Sequence, residues 1–411
     1  MEVNYLQPEY FEKFKCDGQK CHGVCCKFGW KISIDEESLQ KYRQVESADK
    51  EISSHIKFFD KSQDYNIVLD KNGACPLLSP ENLCTIQLKY GEDFLSRTCK
   101  TYPRTVNIAK GIPVPERSLT ISCPVAADLI LFSALPIKFK LVKEDVVDTS
   151  KLLANNYTPP RSILLHAQKI RLTAIKILQE RTLKIDQRLA VLGVFLDIID
   201  ETLKAEKFDE IPQILEVYES KGIIYESVQA VWNDAKFDYK EFVKLMLSGV
   251  MEILYGKETD FHSLGEGLFS VFKAFLKIDD NGVDEKKIDE VAKKLAELEP
   301  LHQKFTDHFE IVFENWLVNE FFINCYPWHV EKSIPNNFGV FVATYKIIEL
   351  MAFVDAMANN ALKKQSILNA MVYFARHIDH NKGYIKKISD EIGEENNIPK
   401  LVSALLKTGN F

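Results

Sequence analysis

The sequence predicts an α+β fold in two parts: a small Cys-rich module of short strands and helices, then a larger all-α helical domain. Three observations carry this. Eight of the nine cysteines (Cys16, Cys21, Cys25, Cys26, Cys75, Cys84, Cys99 and Cys123) fall in the first third, with Cys325 alone beyond it. The same third holds the alternating apolar and polar runs that suit half-buried strands. From about residue 163 onward, apolar residues recur at helical spacing almost without a break. The expected boundaries are 1–141 for the Cys-rich module, 142–162 for a linker marked by Asn155-Asn156 and Pro159-Pro160, and 163–411 for the helical domain.

The elements follow in order. The opening MEVNYLQPEYFEKFK lacks the apolar centre and small-residue cleavage site of a signal peptide. Trp30, Ile32 and Ile34 alternate with polar residues as in a strand. Ser33-x-x-Glu36 has the form of a capping box and opens a helix running to about Gln44. Asn66 to Leu69 is β-prone, and Thr85 to Tyr90 reads as a short helix stopped by Gly91. Val106 and Ile108 lead into Lys110-Gly111, and Leu119 and Ile121 alternate again, so this stretch reads as a hairpin. The apolar run from Pro124 to Ile137 is too short to span a bilayer and carries Asp128, which makes it a buried helix. Pro124 suits its first turn, and Cys123 then sits at its N-terminus, where the helix dipole favours a thiolate.

Beyond the linker, Ile163, Ala167, Ile170, Ala174 and Ile177 form one apolar stripe, and Leu189, Leu192, Phe195, Leu196 and Ile199 a second. Further amphipathic stretches cover about 209–220, 238–255, 286–299, 304–325, 338–360 and 363–379. These stripes are read as core, packed against one another.

Composition narrows the function. The 46% hydrophobic and 27% charged residues are those of an ordinary globular protein. A net charge of −7 argues against broad nucleic-acid binding, which needs a basic face, and suits a basic, lysine-bearing protein partner. With no signal peptide and no apolar span, the expected location is the cytoplasm, away from membranes, where disulfides seldom persist.

Four of the cysteines lie within Cys16-x4-Cys21-x3-Cys25-Cys26, followed by Cys75-x8-Cys84, Cys99 and Cys123. Thiolates at this density suit zinc or an iron–sulfur cluster, and eight exceed the four that one [4Fe–4S] cluster or one structural zinc requires. Disulfides and inert packing are the competing readings. The radical-enzyme spacing Cys-x3-Cys-x2-Cys would begin at Cys21 and Cys25 but meets Phe28 at its third position. No clean Cys-x2-Cys occurs either, so paired zinc knuckles are excluded.

The Cys-rich start, "CPLLSPENLCTIQ", "LSRTCKTYPR" and "SLTISCP" stand in the order found in flagellin lysine-N-methylases. "FENWLVNEFFINCYPW" and "YFARHIDHN" extend the resemblance to that family over most of the chain. The resemblance implies methylation of lysine side chains on flagellin, S-adenosylmethionine as methyl donor, and a [4Fe–4S] cluster. Zinc is the alternative metal.

No Gly-rich donor-binding turn accompanies this: Gly265-x-Gly267 lies in a helical region, without a third glycine or a preceding strand. A substrate lysine must be neutral to accept a methyl group, through burial or a nearby base. Tyr102, Tyr326 and His329 are candidates to line such a pocket, and Glu116 or Glu320 to steer the cation. Arg97, Arg104 and Arg117 flank Cys99 and Cys123 and could offset thiolate charge or hold a substrate carboxylate; Arg376 and His377 are candidates for the cofactor or substrate pocket. His377 and His380, three apart, could share a helix face and bind a metal. Around Gly282 a calcium loop fails, because Lys277 and Ile288 occupy positions that need carboxylates. The competing functional classes are a zinc- or cluster-stapled interaction module and a metal-delivery protein.

Overall fold

A computed structural model describes residues 2–406 apart from 28, 48, 61–62, 110–111, 113, 146–153, 158, 221–225, 227–228, 230–236, 256–265, 279–283, 331, 360–362, 379–381 and 394–397. The fold is α+β. Among the described residues the strands are β1 (Glu2–Pro8), β2 (Ser33–Ile34), β3 (Ile56–Phe59), β4 (Asp64–Ile67), β5 (Arg104–Ala109), β6 (Glu116–Leu119), β7 (Phe139–Asp145) and β8 (Ala154–Tyr157). They form a five-stranded sheet ordered β7-β1-β6-β5-β8 and a three-stranded sheet ordered β2-β4-β3. β5 and β6 are the expected antiparallel hairpin, with Arg104 opposite Leu119.

The linker differs from expectation. β7 pairs antiparallel with β1 along its whole length, Glu2 lying opposite Asp145, and β8 pairs parallel with β5. Residues 142–145 and 154–157 are therefore sheet, not tether. Their partners lie far away in sequence, so no local pattern of Pro and Asn could show the pairing.

The cores also redraw the division at residue 141. A small core of Ile32, Ile34, Leu39, Tyr42, Ile52, Ile67, Leu77 and Ile86 lies under the three-stranded sheet. Leu6, Leu119, Ala127 and Ile130 instead share one continuous core with Ile170, Leu192, Phe341 and Leu406. The five-stranded sheet and the apolar helix Pro124–Leu131 thus belong physically with the helices, and residues of about 30–100 make a separate lobe.

Two helices organise the bundle. Ile334–Ala358 is apolar all round and buried along nearly its full length, packing against Ile185–Lys204, Lys364–Ile378 and Lys382–Ile392. Gly339 lets one neighbour approach: a Cβ there would lie 2.9 Å from Cδ1 of Ile392. Glu310–Ile323 is buried from Val312 to Ile323 and docks the N-terminal part. Asn315 donates to the carbonyls of Leu131 (3.0 Å) and Ser133 (2.8 Å), and Asn319 to that of Leu119 (3.3 Å). From the sheet side, Asn107 donates to Ile323 O at 2.7 Å.

The expected helices are present, with two refinements. Asp35, not Ser33, caps Glu36–Val45, accepting from Ser38 N at 3.1 Å, while Ser33 lies in β2. Glu285–His308 runs on through Pro300, where a gap was expected, because the buried stripe of Val291, Leu295, His302 and Phe305 continues past it. The reading at Gly282 lies outside the described residues, as do Phe28 and Gly265. No described helix is long and apolar enough to cross a membrane.

Buried charge sits at the junction of sheet and bundle. Glu116 on β6 and Arg171 on the helix Leu164–Leu178 are each 1% exposed and form an ion pair. Arg171 also donates to the carbonyls of Phe322 (2.7 Å) and Tyr326 (3.0 Å). Removing one partner strands the other in a dry site, so Glu116→Ala should lower stability by about 3–5 kcal/mol. Urea unfolding would register it, and the apolar double variant Glu116→Leu/Arg171→Met should recover most of the loss.

Candidate functional site

The eight N-terminal cysteines converge although they come from four separate segments. In the first, Asp17 caps the short helix Gly18–Cys21, accepting from Lys20 N at 3.1 Å. His22 and Gly23 then both adopt left-handed backbone, with φ of 52° and 63°, and turn the chain back into a single turn, Val24–Cys26. Gly23 is obligatory on two grounds. Its φ suits glycine, and a Cβ would lie 2.7 Å from the carbonyl oxygen of Asn82. This close approach sets Cys25 and Cys26 beside the second segment, where Cys75 N donates to Cys26 O at 2.7 Å. That segment closes on itself when Thr85 N and Oγ1 both donate to Leu77 O, which leaves Cys84 at the head of the helix Thr85–Tyr90.

Cys99 rides on the helix Arg97–Thr101, capped by Ser96. Asp35 locks this helix in place, its carboxylate accepting from Arg97 N at 2.8 Å as well as from Ser38. Burial would raise the pKa of Asp35, but the amides of Arg97 and Ser38 and the Ser38 hydroxyl outweigh it and hold the carboxyl below its ordinary value. Cys123 heads the helix Pro124–Leu131 as expected, but the thiol is not acidic there. Burial pushes it up to about 12 against the pull of the Ala126 and Val125 amides.

Cys25 is the centre of the group. It lies within electrostatic reach of Cys26, Cys75, Cys84 and Cys99 on one side and of Cys16 and Cys123 on the other. Cys21 neighbours Cys16 and Cys123. All nine cysteines of the chain are free thiols. Cys25 and Cys26 stand 3.9 Å apart, and the contact lowers the first to about 7 and raises the second, so that one proton serves both. Burial pushes Cys75 up to about 11 and Cys99 to about 12.

The cationic group at this centre comes from the far end of the chain. Arg376, on the helix Lys364–Ile378, is 4% exposed and donates from Nε to Ser122 O at 2.8 Å. It faces Tyr102, Cys123, Cys25 and Cys21. Ser122 is a hub that the sequence did not single out: its hydroxyl also meets Tyr102 Oη at 3.1 Å and Thr120 Oγ1 at 3.0 Å. Tyr102 stacks edge-on against Trp30 at 5.0 Å, and burial keeps its phenol protonated, well above the ordinary value. Arg104 lies beside Cys16 and over the Phe14 ring at 5.1 Å. A cleft of about 630 Å³ opens on the group, lined by Cys16, Cys21, Cys25, Cys26 and Cys84.

Other candidates stand apart from the thiols. Glu116 is held by Arg171 and cannot steer an incoming cation. Arg117 is tied to Glu144 and, at 2.9 Å, to Gln7, and lies over the rings of Tyr5 and Phe11. Tyr326 and His329 do meet, their rings 4.8 Å apart, but within the helical body beside Phe321 and Phe341. Burial drives His329 down to about 4 despite its bond to Asn324 O. Glu320 is buried next to Asn324. His377 sits against Tyr373 and is likewise neutral, lowered to about 4 by burial and then by Arg376. His380 lies outside the described residues.

The donor chemistry, thiols with the guanidiniums of Arg376 and Arg104 beside them, suits a thiophilic ion or cluster. Among the described residues, no three His, Cys, Asp or Glu side chains are grouped so that they could hold a metal ion.

Arg376 of the helical part thus lies beside thiols of the N-terminal part. Residues 171–406 match the family described as the FliB lysine N-methylase C-terminal domain. That is more than half of the chain, and the chain belongs to this family. It is 30% identical over 166 residues to a lysine-N-methylase of Salmonella typhimurium (strain LT2), covering 37% of this chain and 39% of that protein. The lysine-N-methylase of Salmonella choleraesuis matches to the same extent. The flagellar biosynthetic protein FliU of Salmonella muenchen is 32% identical over 143 residues, 78% of its length. The chain thus spans about two fifths of the length of the curated lysine-N-methylases it matches. No solved structure matches.

Two outcomes follow from the geometry. Gly23→Ala should destabilise the thiol lobe by about 1–3 kcal/mol and speed labelling of its cysteines by a thiol reagent. For His329 the folded pKa lies below the unfolded value of 6.5, so between 6.5 and about 4 the unfolded chain holds an extra proton. Stability is therefore lost as pH falls through that window, by up to about 1.4 kcal/mol per pH unit for this group. His329→Gln should flatten that slope in denaturant titrations.

Proposed function

We propose that this protein transfers methyl groups from S-adenosylmethionine to lysine side chains of a protein, acting in the cytoplasm on flagellin, and that its thiols hold a [4Fe–4S] cluster. One observation carries the reading. Arg376, inside the segment matched to the lysine N-methylase family, lies beside Cys21, Cys25 and Cys123 and donates to Ser122 O at 2.8 Å. The flagellar name of one relative supports flagellin as the substrate.

Bound in the cleft, S-adenosylmethionine would supply an electrophilic methyl on a sulfonium. Arg376 is the group suited to its carboxylate, a planar fork already oriented by the Ser122 carbonyl. Tyr102 remains a hydroxyl donor at neutral pH and is not a base. The dry walls around it favour a substrate lysine that has shed its proton, since burial disfavours the ammonium. The neutral amine would accept that methyl as the donor's carbon–sulfur bond broke, and the methylated ammonium would then release its extra proton to solvent. Cys26, Cys75, Cys84 and Cys99 flank Cys25 and are the set we assign to ligate a cluster, with Arg376 beside Cys25.

Protein purified without oxygen should be brown with matched iron and sulfide, and Cys26→Ser should reduce the iron retained. Calorimetry should show saturable S-adenosylmethionine binding, weakened about tenfold or more by Arg376→Gln. Labelled methyl should pass to flagellin and not to flagellin whose lysines are acetylated. Stoichiometric zinc with no donor binding would overturn the enzyme reading in favour of a metal-stapled interaction module. Metal lost readily to a chelator, again without donor binding, would indicate metal delivery.

A further inference from the structure

The thiol cleft adjoins a second cavity of about 460 Å³, and the two share Lys13, Asp128 and Leu129 in their walls. Asp128 is the charged residue of the otherwise apolar helix Pro124–Leu131, and it stands where the cavities meet. A lysine of this same chain is seated there. Lys364 Nζ lies 2.7 Å from Asp128 Oδ1 and 4.2 Å from the centre of the Phe132 ring. Lys364 and Phe132 both line the second cavity. A carboxylate and an aromatic face converging on one ammonium are the two groups that recognise a lysine side chain.

We infer that Asp128 and Phe132 form the docking subsite for the substrate lysine, and that Lys364 occupies it in the substrate-free protein. This deepens, and rests on, the reading of the chain as a lysine methyltransferase. The exchange is balanced in charge, because one ammonium replaces another while Lys13, Lys138 and Glu9 stay in place around the second cavity. It is also easily reversed, since Asp128 and Lys364 are each about half exposed and such pairs hold weakly. Asp128 is a docking residue and not the base: it receives the ammonium at the mouth, before the side chain passes into the drier cleft and loses its proton. Lys364 begins the helix that carries Arg376, so the occupant of the subsite and the arginine at the thiols move on one rigid element.

Two probes test this on the full chain: a short peptide with one lysine among Gly, Ser and Ala, and the same peptide with norleucine in its place. Lys364→Met removes the competitor and should tighten the lysine peptide about fivefold at low salt. Asp128→Asn should weaken it about fivefold and Phe132→Leu about threefold. The norleucine peptide should respond to neither Lys364→Met nor Asp128→Asn. Affinity that is unchanged or lower in Lys364→Met, or a norleucine peptide that tracks the lysine one, would overturn the subsite. Methyl transfer by the wild type separates the two ideas. Transfer without any response to Lys364→Met or Asp128→Asn sinks the subsite and keeps the methyltransferase. Tightening in Lys364→Met with no transfer to flagellin keeps a lysine-binding site and sinks the enzyme.

Discussion

An arginine removed from water must have its charge answered on every side, and Arg171 meets that demand by gripping two parts of the molecule at once. Its partners are a carboxylate on the sheet and two carbonyls at the end of the helix Glu310–Ile323. No other placement of the sheet satisfies all of them, so the pair acts less as a source of stability than as a fixed register between sheet and bundle. Asn107, Asn315 and Asn319 extend the same logic with neutral groups, each side-chain amide meeting a carbonyl from the opposite half. Once this seam is set, β6 leads into Ser122, Cys123 and the helix Pro124–Leu131, whose Val125, Asp128 and Leu129 line the thiol cleft.

Across that cleft the chemistry is dominated by desolvation. Most of the thiols are driven away from ionisation, and Cys25 is the exception because the Cys26 thiol, itself raised, donates to its ionised form. The small lobe around Ile34 and Tyr42 serves to hold Cys75, Cys84 and Cys99 against the first segment, and backbone contacts do much of that work.

The parts of the fold visible in the sequence were those written in local pattern. The helix Thr85–Tyr90 with its Gly91 stop, the β5–β6 hairpin and the stripe of Ile163, Ala167, Ile170, Ala174 and Ile177 all depend on neighbours a few residues away. What escaped depends on distant partners. β7 looked like a linker because its ladder is completed by the first residues of the chain. Glu116 looked available because nothing near it in sequence announces Arg171. Cysteine density drew attention to the N-terminal segments, and the structure places Tyr102 and Arg376 beside Cys25 and Arg104 beside Cys16. Tyr326 and His329 were drawn in by proximity to a matching motif, although their burial serves the bundle. Ser122 carries no chemical signal in sequence, whereas Asp128 did: a lone charge in an apolar helix was taken only as an argument against a membrane span.

The bond between Ser122 and Arg376 joins residues 254 positions apart. At ordinary rates of protein synthesis that separation amounts to roughly ten to fifty seconds on the ribosome. All eight N-terminal thiols emerge early, and the guanidinium of Arg376 emerges late. The nascent chain therefore passes through a long interval in which a cysteine-rich segment is made but Arg376 and the helix that carries it are not. Protecting those thiols until translation ends is a task for the cell's thiol-reducing environment, not for the fold.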